Sequence, residues 1–566
     1  MDDRTAQRAL SALERYRDGP PRHPRRYADL HEHVLALARA GLLVVVDEPI
    51  NKDTEMHPLV RWQYRGGIAE PDRKAFLFTE PTDSKGRRFE MSVLVAGLAA
   101  NREVYRIGFG KPLEEIGQAW IKAIADPIAP RLVTEAPCHD VVITGADLER
   151  GGKGLDGLPV PISTPGWDNA PYLSAGHYIT KDRDTGVQNV GNYRGQLKAP
   201  RRLGMNPSVE LRAGIFAHWQ KCKARGEPLP CAVVVGCPPV ISYASVQKMP
   251  EHLDELGVAG ALAGGPINVV RAKTVDLLVP AEAEIVIEGL INTEWLEPEA
   301  PFGESHGYVN LQEYNAFMEV TAITRRREAI LTSFISQVTP SESSVIRRVA
   351  MEPVYLHHLR SVLGIAAVKR VVMHEPLTSL YAVIAVQCAR GTPESEIWRA
   401  LYGAASLHRF AGKWIIAIDE DIEPENADAL LWAMSYRCQP QHDLKVVPHK
   451  DPGHGPRGPR DEGESAAVLI NATLKGTYAP VALPKREFME QAKAIWERLG
   501  LPPLTPQSPW HGYDLGHWPA ELERQAQMAV RSEYFELGRN LANERRGDVA
   551  MNAPVHHDEE KKENNS

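Results

Sequence analysis

The chain has 566 residues, 43% apolar and 24% charged, enough for large cores and roughly three or four domains. A net charge of −8 without a sustained basic stripe argues against nucleic-acid binding as the main activity. No apolar run reaches the length of a membrane span, since Arg39 and Gly41 interrupt LALARAGLLVVV.

The charged opening MDDRTAQRALSALERYRDG has no apolar signal core, and residues 1–25 are expected to be loosely held. YADLHEHVLALARAG then has helical spacing and LLVVVDEPI reads as a strand, so 26–128 is expected to be a small α/β domain. Over 129–335 short β-rich runs dominate: DVVITG, CAVVVGC, TVDLLVP, AEIVIEG, FMEVTAITRR and AILTSFIS. Close Gly and Pro punctuation makes this a β-barrel or sandwich with helical insertions. Over 336–500 strands and helices alternate again, as in AAVKRVVM, YAVIAVQC, SEIWRALYGAAS and WIIAIDEDI, which predicts a second α/β domain. A helical extension follows over 501–550, with one helix expected from Glu521 to about Arg545, and 551–566 is expected to be disordered. The six cysteines (Cys138, Cys222, Cys231, Cys237, Cys388 and Cys438) include no C-x-x-C pair. Several lie in apolar runs, so they are read as reduced core thiols of a cytoplasmic protein.

Four segments carry chemistry-bearing residues. EAPFGESHGY sets Glu299 and Glu304 around Pro301 and Gly303, which break regular structure. Two acids on so bent a segment can converge on one site, one ionised and one moving protons, or they can be solvated turn residues. In NVGNYR, Arg194 can hold a carboxylate in a bidentate pair or stand at the surface. Glu255 opens the helical segment ELGVAGAL, and Lys413 stands at the start of the strand WIIAID, where its ammonium can reach a phosphate. Each also reads as an ordinary helix or strand-edge residue.

Taken in order, these motifs resemble the UbiD family of decarboxylases, from about Tyr27 to about Leu501. The segments that carry the resemblance are DLHEHVLALARAGLLVVVDEPI, GHYITKD, NVGNYR, VPAEAEIVIEG with EAPFGESHGYV, IAIDEDIEPENADALLWAMSYRCQPQHD and INATLKGTYAPVALP. The resemblance implies an N-terminal α/β domain, a central split β-barrel that binds flavin, and a C-terminal α/β domain with a terminal helix. It implies a Glu–Arg–Glu network of Arg194, Glu299 and Glu304 beside prenylated FMN, with Glu304 as proton donor and Glu299 holding Arg194. Thr180, Asn189, Arg194, Arg212, Glu255 and Lys413 fall on the cofactor side. A divalent metal, usually manganese, bridges the cofactor phosphate in the family through an Asn, a His and a Glu. Asn189 and Glu255 match the first and last, while Ala244 and Ser245 match the site of a monovalent cation, potassium.

The chain departs from the family pattern at the histidine. Counting back from CAVVVGC reaches Arg212, and His218 lies about two helical turns later. Either an insertion shifts the alignment or the metal shell is altered, with an arginine neutralising phosphate directly. The implied reaction is reversible decarboxylation of an aromatic or heteroaromatic acid, the cofactor acting as electron sink. Acrylic acids, bicyclic acids and aroyl-CoA thioesters are the other substrate classes. Gln337, Ser341, Arg437 and His442 border the substrate pocket by resemblance and can equally be loop or capping residues. An FMN-binding redox protein and a non-catalytic subunit of a larger carboxylase are the competing readings. A flavin prenyltransferase as cofactor source and a homodimer are the expected partners.

Overall fold

Asp29 caps the helix Leu30–Arg39 in the computed structural model, its carboxylate accepting from the Glu32 amide at 2.9 Å while Glu32 accepts from the Asp29 amide at 3.0 Å. The structure describes residues 11–207, 213–247, 249–250, 252–453, 464–506 and 508–544. Two units divide the chain at Thr473 and Leu474.

In the first unit, a four-stranded sheet follows the opening helix, in the order Leu43–Val46, Ala75–Phe78, Ser92–Val95, Ile330–Ser333. The last strand lies within the run AILTSFIS, which the sequence groups with the β-rich barrel stretch. It leaves that region and pairs in parallel with Ser92–Val95, Leu331 opposite Val93. All four of its residues are buried, so an apolar run without alternation fits a covered sheet as well as a barrel wall.

The barrel is closed by six antiparallel strands: Tyr172–Lys181, Gln188–Ala199, Arg202–Met205, Glu313–Arg325, Ile285–Ile291 and Leu229–Val235. Closure removes every free edge. Alternation sorts the strand residues: Cys231, Val233 and Val235 join one core with Ile285, Ile287 and Met318. Ala232 and Val234 face the other core, built with the helices Pro239–Ser245 and Glu255–Ala263. Both faces are covered, which is why CAVVVGC is almost continuously apolar. Two expected barrel strands lie outside the closed ring. Leu278–Pro280 pairs with Asn268–Arg271 in a separate sheet, and Val141–Thr144 flanks Glu313–Arg325. Buried Glu284 ties the N-terminal helix to the barrel, accepting from Arg326 at 3.0 Å and meeting His31 Nε2 at 3.0 Å.

The helix Glu342–His357 leads to a five-stranded sheet in the order Val368–Met373, Val383–Cys388, Trp414–Asp419, Ser465–Asn471, Leu444–Lys450. Glu342 is fully buried and accepts from the amides of Leu98 at 2.8 Å and Ile335 at 3.2 Å. Burial pushes its carboxyl up to about 7, with those amides pulling the other way. The folded protein therefore holds this proton more tightly than the unfolded chain. Stability should fall as pH rises from about 4.5 to about 7 and level off above. Urea unfolding at pH 5 and 7.5 should show this loss, with a shallower slope in Glu342→Gln. An unchanged slope in that variant would assign the loss to other groups.

The second unit carries the helices Arg486–Arg498, Ala520–Val530 and Tyr534–Leu541. The single terminal helix expected from Glu521 is thus broken at Arg531–Glu533, where Ser532 has φ +65°. No Gly or Pro marks this break, so apolar spacing alone runs straight through it. Arg545 and the tail lie outside the described residues. The six cysteines are free, and Cys438 alone among them is not fully buried. Among the described residues, no helix is long and apolar enough to cross a membrane.

Candidate active site

Arg194 projects from the barrel strand Gln188–Ala199 between two carboxylates. Glu299 receives it in a bidentate grip, Nε to Oε1 at 2.9 Å and Nη2 to Oε2 at 2.6 Å. Asn315 Nδ2 adds a third bond to Glu299 at 3.0 Å. The remaining nitrogen, Nη1, donates to Glu304. Burial works against the guanidinium charge, yet the bonds to Glu299 and the charges of Glu304 and Glu299 outweigh it and raise its pKa. The two acids differ in access: the Glu299 side chain is 0% exposed and that of Glu304 is 13%. One is sealed against its cation, and the other can meet a ligand.

The strand Glu297–Glu299 pairs with Glu313–Arg325, which fixes Glu299 opposite Glu313. Ala300 then turns the chain with φ +73°, a backbone region that costs a residue with a Cβ roughly 1–2 kcal/mol. The hairpin Phe302–Gly303 with Val309–Asn310 carries Glu304 in its turn. A second segment grips this bend. Asp168 accepts from the Gly303 amide at 2.8 Å and from the Thr164 amide at 2.8 Å. Asn169 Nδ2 donates to Ala300 O at 2.8 Å, and the Ala300 amide donates to Tyr172 OH at 3.1 Å. Phe302 lies under Arg194, the guanidinium 5.2 Å from its ring centre. The sequence reading missed this grip. Its available signal was TPGWDNAPY, where Asp and Asn follow Pro-Gly and favour local backbone bonding.

A second cluster lies on the same strand. Asn189 Nδ2 donates to Glu255 Oε1 at 2.8 Å, and the Val190 amide donates to Glu255 Oε2 at 2.7 Å. Asn189 Oδ1 is buried without a partner. Burial pushes the Glu255 carboxyl up to about 7, against the pull of the Val190 amide. Thr180 stands opposite Asn189 across the strand pair, and its hydroxyl meets His218 Nδ1 at 2.8 Å. His218, set aside by spacing, is therefore one hydrogen bond from Thr180. Arg212 lies outside the described residues. Among the described residues no group of three or more His, Cys, Asp and Glu is placed to hold a metal ion. Ser245 ends the helix Pro239–Ser245, bonding Ser242 O at 2.8 Å and His177 Nδ1 at 2.8 Å, next to buried Ala244. Burial lowers the His177 pKa to about 4, so this ring is a neutral strut.

The other candidates are dispersed. Lys413 is exposed at the head of Trp414–Asp419 in the C-terminal sheet. Arg437 is buried there, its two terminal nitrogens donating to Asp419 at 3.0 Å and to Asp421 at 2.8 and 2.6 Å within its own domain. His442 is exposed on the short helix Pro440–Asp443. Ser341 is the N-cap of Glu342–His357, accepting from the Ser344 amide at 3.2 Å. Gln337 abuts the hairpin that carries Glu304: a Cβ on Gly303 would stand 3.2 Å from its Cγ.

Residues 131–338 match the model of the 3-octaprenyl-4-hydroxybenzoate carboxy-lyase Rift-related domain, and residues 344–455 match that of the C-terminal domain. The chain belongs to the UbiD family, whose members are decarboxylases, and it is a carboxy-lyase. Among solved structures it is similar to the UbiD-class enzyme HmfF from Pelotomaculum thermopropionicum in complex with FMN. The two are 27% identical, with a TM-score of 0.71, over 82% of this chain and 100% of that one. An evolved dimeric form of HmfF in complex with prFMN matches at 27% identity and TM-score 0.69, over 81% and 97% of the chains. Vanillic acid decarboxylase from Sedimentibacter hydroxybenzoicus shares the fold at 21% identity and TM-score 0.67, over 84% and 99%.

Proposed function

We propose that this chain decarboxylates an aromatic or heteroaromatic carboxylic acid reversibly, using prenylated FMN held by the barrel domain. The observation that carries this reading is the division of labour around Arg194: sealed Glu299 neutralises it, and partly open Glu304 shares its last donor. The donor set fits the cofactor. Asn189 Oδ1 is an orphaned acceptor beside a carboxyl that burial keeps protonatable, and both are hard oxygen ligands suited to manganese. Thr180, Asn189, Glu255 and Arg194 would hold the cofactor and its metal; Ala244 and Ser245 would hold potassium. Bound there, prenylated FMN supplies the electron sink for the carbanion left when CO2 departs.

The residues do the rest. Arg194 keeps the two acids in register. Glu304 delivers a proton to the carbon that lost CO2 and regains one before the next turnover. The test is the visible spectrum and aromatic-acid turnover of protein expressed with and without a flavin prenyltransferase. Prenyltransferase-dependent absorbance with CO2 release is expected. A plain FMN spectrum with redox activity would support an electron-transfer role, and an inert pure chain would mark a non-catalytic subunit. Manganese binding followed by calorimetry should weaken at least tenfold in Glu255→Ala, on the order expected for loss of a ligand or its support.

Assembly belongs to the same proposal. Leu522, Tyr534, Phe535 and Leu541 are exposed on the terminal helices, Phe535 by 78%. We expect at least a homodimer, with these helices at or near the interface. Truncation before Glu521 should shift the mass in light scattering towards monomer or aggregate. A truncated protein that remains a soluble dimer would exclude the helices from the interface.

A further inference from the structure

The barrel strand Glu313–Arg325 reaches two separate places. Near its start Asn315 bonds Glu299, and at its end Arg325 pairs with Val141, roughly 30 Å further along the strand. At that far end a cleft of about 660 Å³ opens between the strand end, the segment 87–91, the stretch 152–158 and Arg15. This is the size of pockets that hold a small-molecule ligand. Arg194, Glu299, Glu304, Asn189 and Glu255 do not line it.

The cleft is cationic, although the chain carries a net charge of −8. Arg15, Arg87, Arg88, Lys153, Arg325 and Arg327 line it, against Glu90, Asp147 and Glu328. Asp147 is already paired with Arg150 at 3.0 Å, and Arg88 reaches Glu80 at 3.8 Å. Among the described residues, the other five cations have no carboxylate in ion-pair range. Three of the guanidinium groups are nonetheless held, each by neutral acceptors. Arg15 Nη2 donates to Tyr16 OH at 2.7 Å and to Ser92 Oγ. Arg87 Nη1 donates to Asp156 O at 2.8 Å, and its guanidinium lies 4.7 Å from the Phe89 ring centre. Arg325 Nη1 donates to Arg326 O and Arg327 O, both at 3.0 Å. Hydroxyls and carbonyls fix a guanidinium without cancelling its charge, and they leave further donors over. Gly152 makes room for one of them: a Cβ there would stand 2.6 Å from Arg87 Nη2, at a φ of +80°. Like charges fixed this close repel one another until an anion joins them.

We propose that this cleft binds a diphosphate, either free or carried on an organic body such as a nucleoside. The lining sets six cations against three carboxylates. One phosphate brings a charge of about −1.5 to −2, so two are needed to balance the excess. Arg15, Arg87 and Arg325 present planar forks that match phosphate oxygens. Val142, Ile143, Leu158 and Ile323 supply an apolar wall for an organic body. The site does not depend on the decarboxylation reading.

The test is calorimetry on the full chain at low salt with inorganic phosphate, inorganic diphosphate, ADP and adenosine. Diphosphate and ADP should bind about tenfold or more tightly than phosphate, and adenosine should not bind. Tighter binding of ADP supports an organic diphosphate as the ligand, and equal binding supports free diphosphate. Arg325→Ala should weaken both by about 10- to 100-fold, as the loss of charge-assisted hydrogen bonds predicts. Arg87→Lys keeps the charge and removes the fork, while Gly152→Ala keeps every charge and displaces the guanidinium. Each should cost about tenfold. Arg88→Ala removes the same charge from a side chain that is 75% exposed, and should cost only about twofold. Should Gly152→Ala fail to fold, Arg87→Lys decides alone. Absence of diphosphate binding would overturn the proposal, as would equal affinity for phosphate. A loss in Arg88→Ala as large as in Arg87→Lys would also overturn it, since that pattern reports bulk charge and not a built site.

Discussion

Glu304→Gln should lower turnover by about 10²- to 10⁴-fold, the usual contribution of a positioned general acid. The substitution keeps the shape of the side chain and its place in the turn, where the Glu304 amide donates to Tyr308 O at 3.0 Å. It keeps an oxygen for Arg194 Nη1 and removes the exchangeable carboxyl proton. Cofactor absorbance and thermal stability should therefore stay close to those of the native protein while CO2 release collapses. The measurement is CO2 release under saturating acid, with the bound cofactor quantified on the same sample. Native turnover at native occupancy would show that the proton comes from elsewhere. Asp168→Asn offers a milder companion, because it weakens the acceptor for the Gly303 amide without touching the acid.

Glu299→Gln should be the most damaging single change to stability at this site, costing about 3–5 kcal/mol, as the loss of one partner from a buried ion pair does. Three hydrogen bonds converge on its carboxylate, two from Arg194 and one from Asn315. An amide supplies one oxygen where two are used and points its NH2 at a guanidinium that cannot accept. Arg194 would retain only Glu304 for neutralisation, which draws that acid further towards the ionised state. Turnover should therefore fall along with stability. Urea unfolding of the full chain reads the first effect and CO2 release the second. Unchanged stability with lost activity would recast Glu299 as a purely chemical residue.

Much of this site was legible because its residues are close in sequence or carry strong local signals. EAPFGESHGY places Glu299 and Glu304 on one bend, and Pro301 and Gly303 announce that bend. NVGNYR places Asn189 and Arg194 on one strand, and the structure sends one to Glu255 and the other to the acid pair. The substrate-side candidates were harder to sort. Arg437 and Gln337 are both buried polar residues, and nothing local separates a side chain tied to Asp419 and Asp421 from one that abuts Gly303. The break at Ser532 was invisible for a similar reason, since apolar spacing continues across it.

By itself the sequence determined the element types and the family of the chain. Local propensity, period and turn chemistry act over a few residues, and those are preserved in any linear reading. Only the tertiary structure decided which of these segments meet. Ile330–Ser333 follows the barrel in the chain yet completes the N-terminal sheet, because the free edge of Ser92–Val95 is where its two buried faces are both covered. That placement carries the next residues, Gln337 and Val338, against Arg61 on one side and Gly303 on the other. Hydrogen bonds across 276 positions leave no periodic trace, since they depend on where whole elements pack and not on what either segment prefers alone.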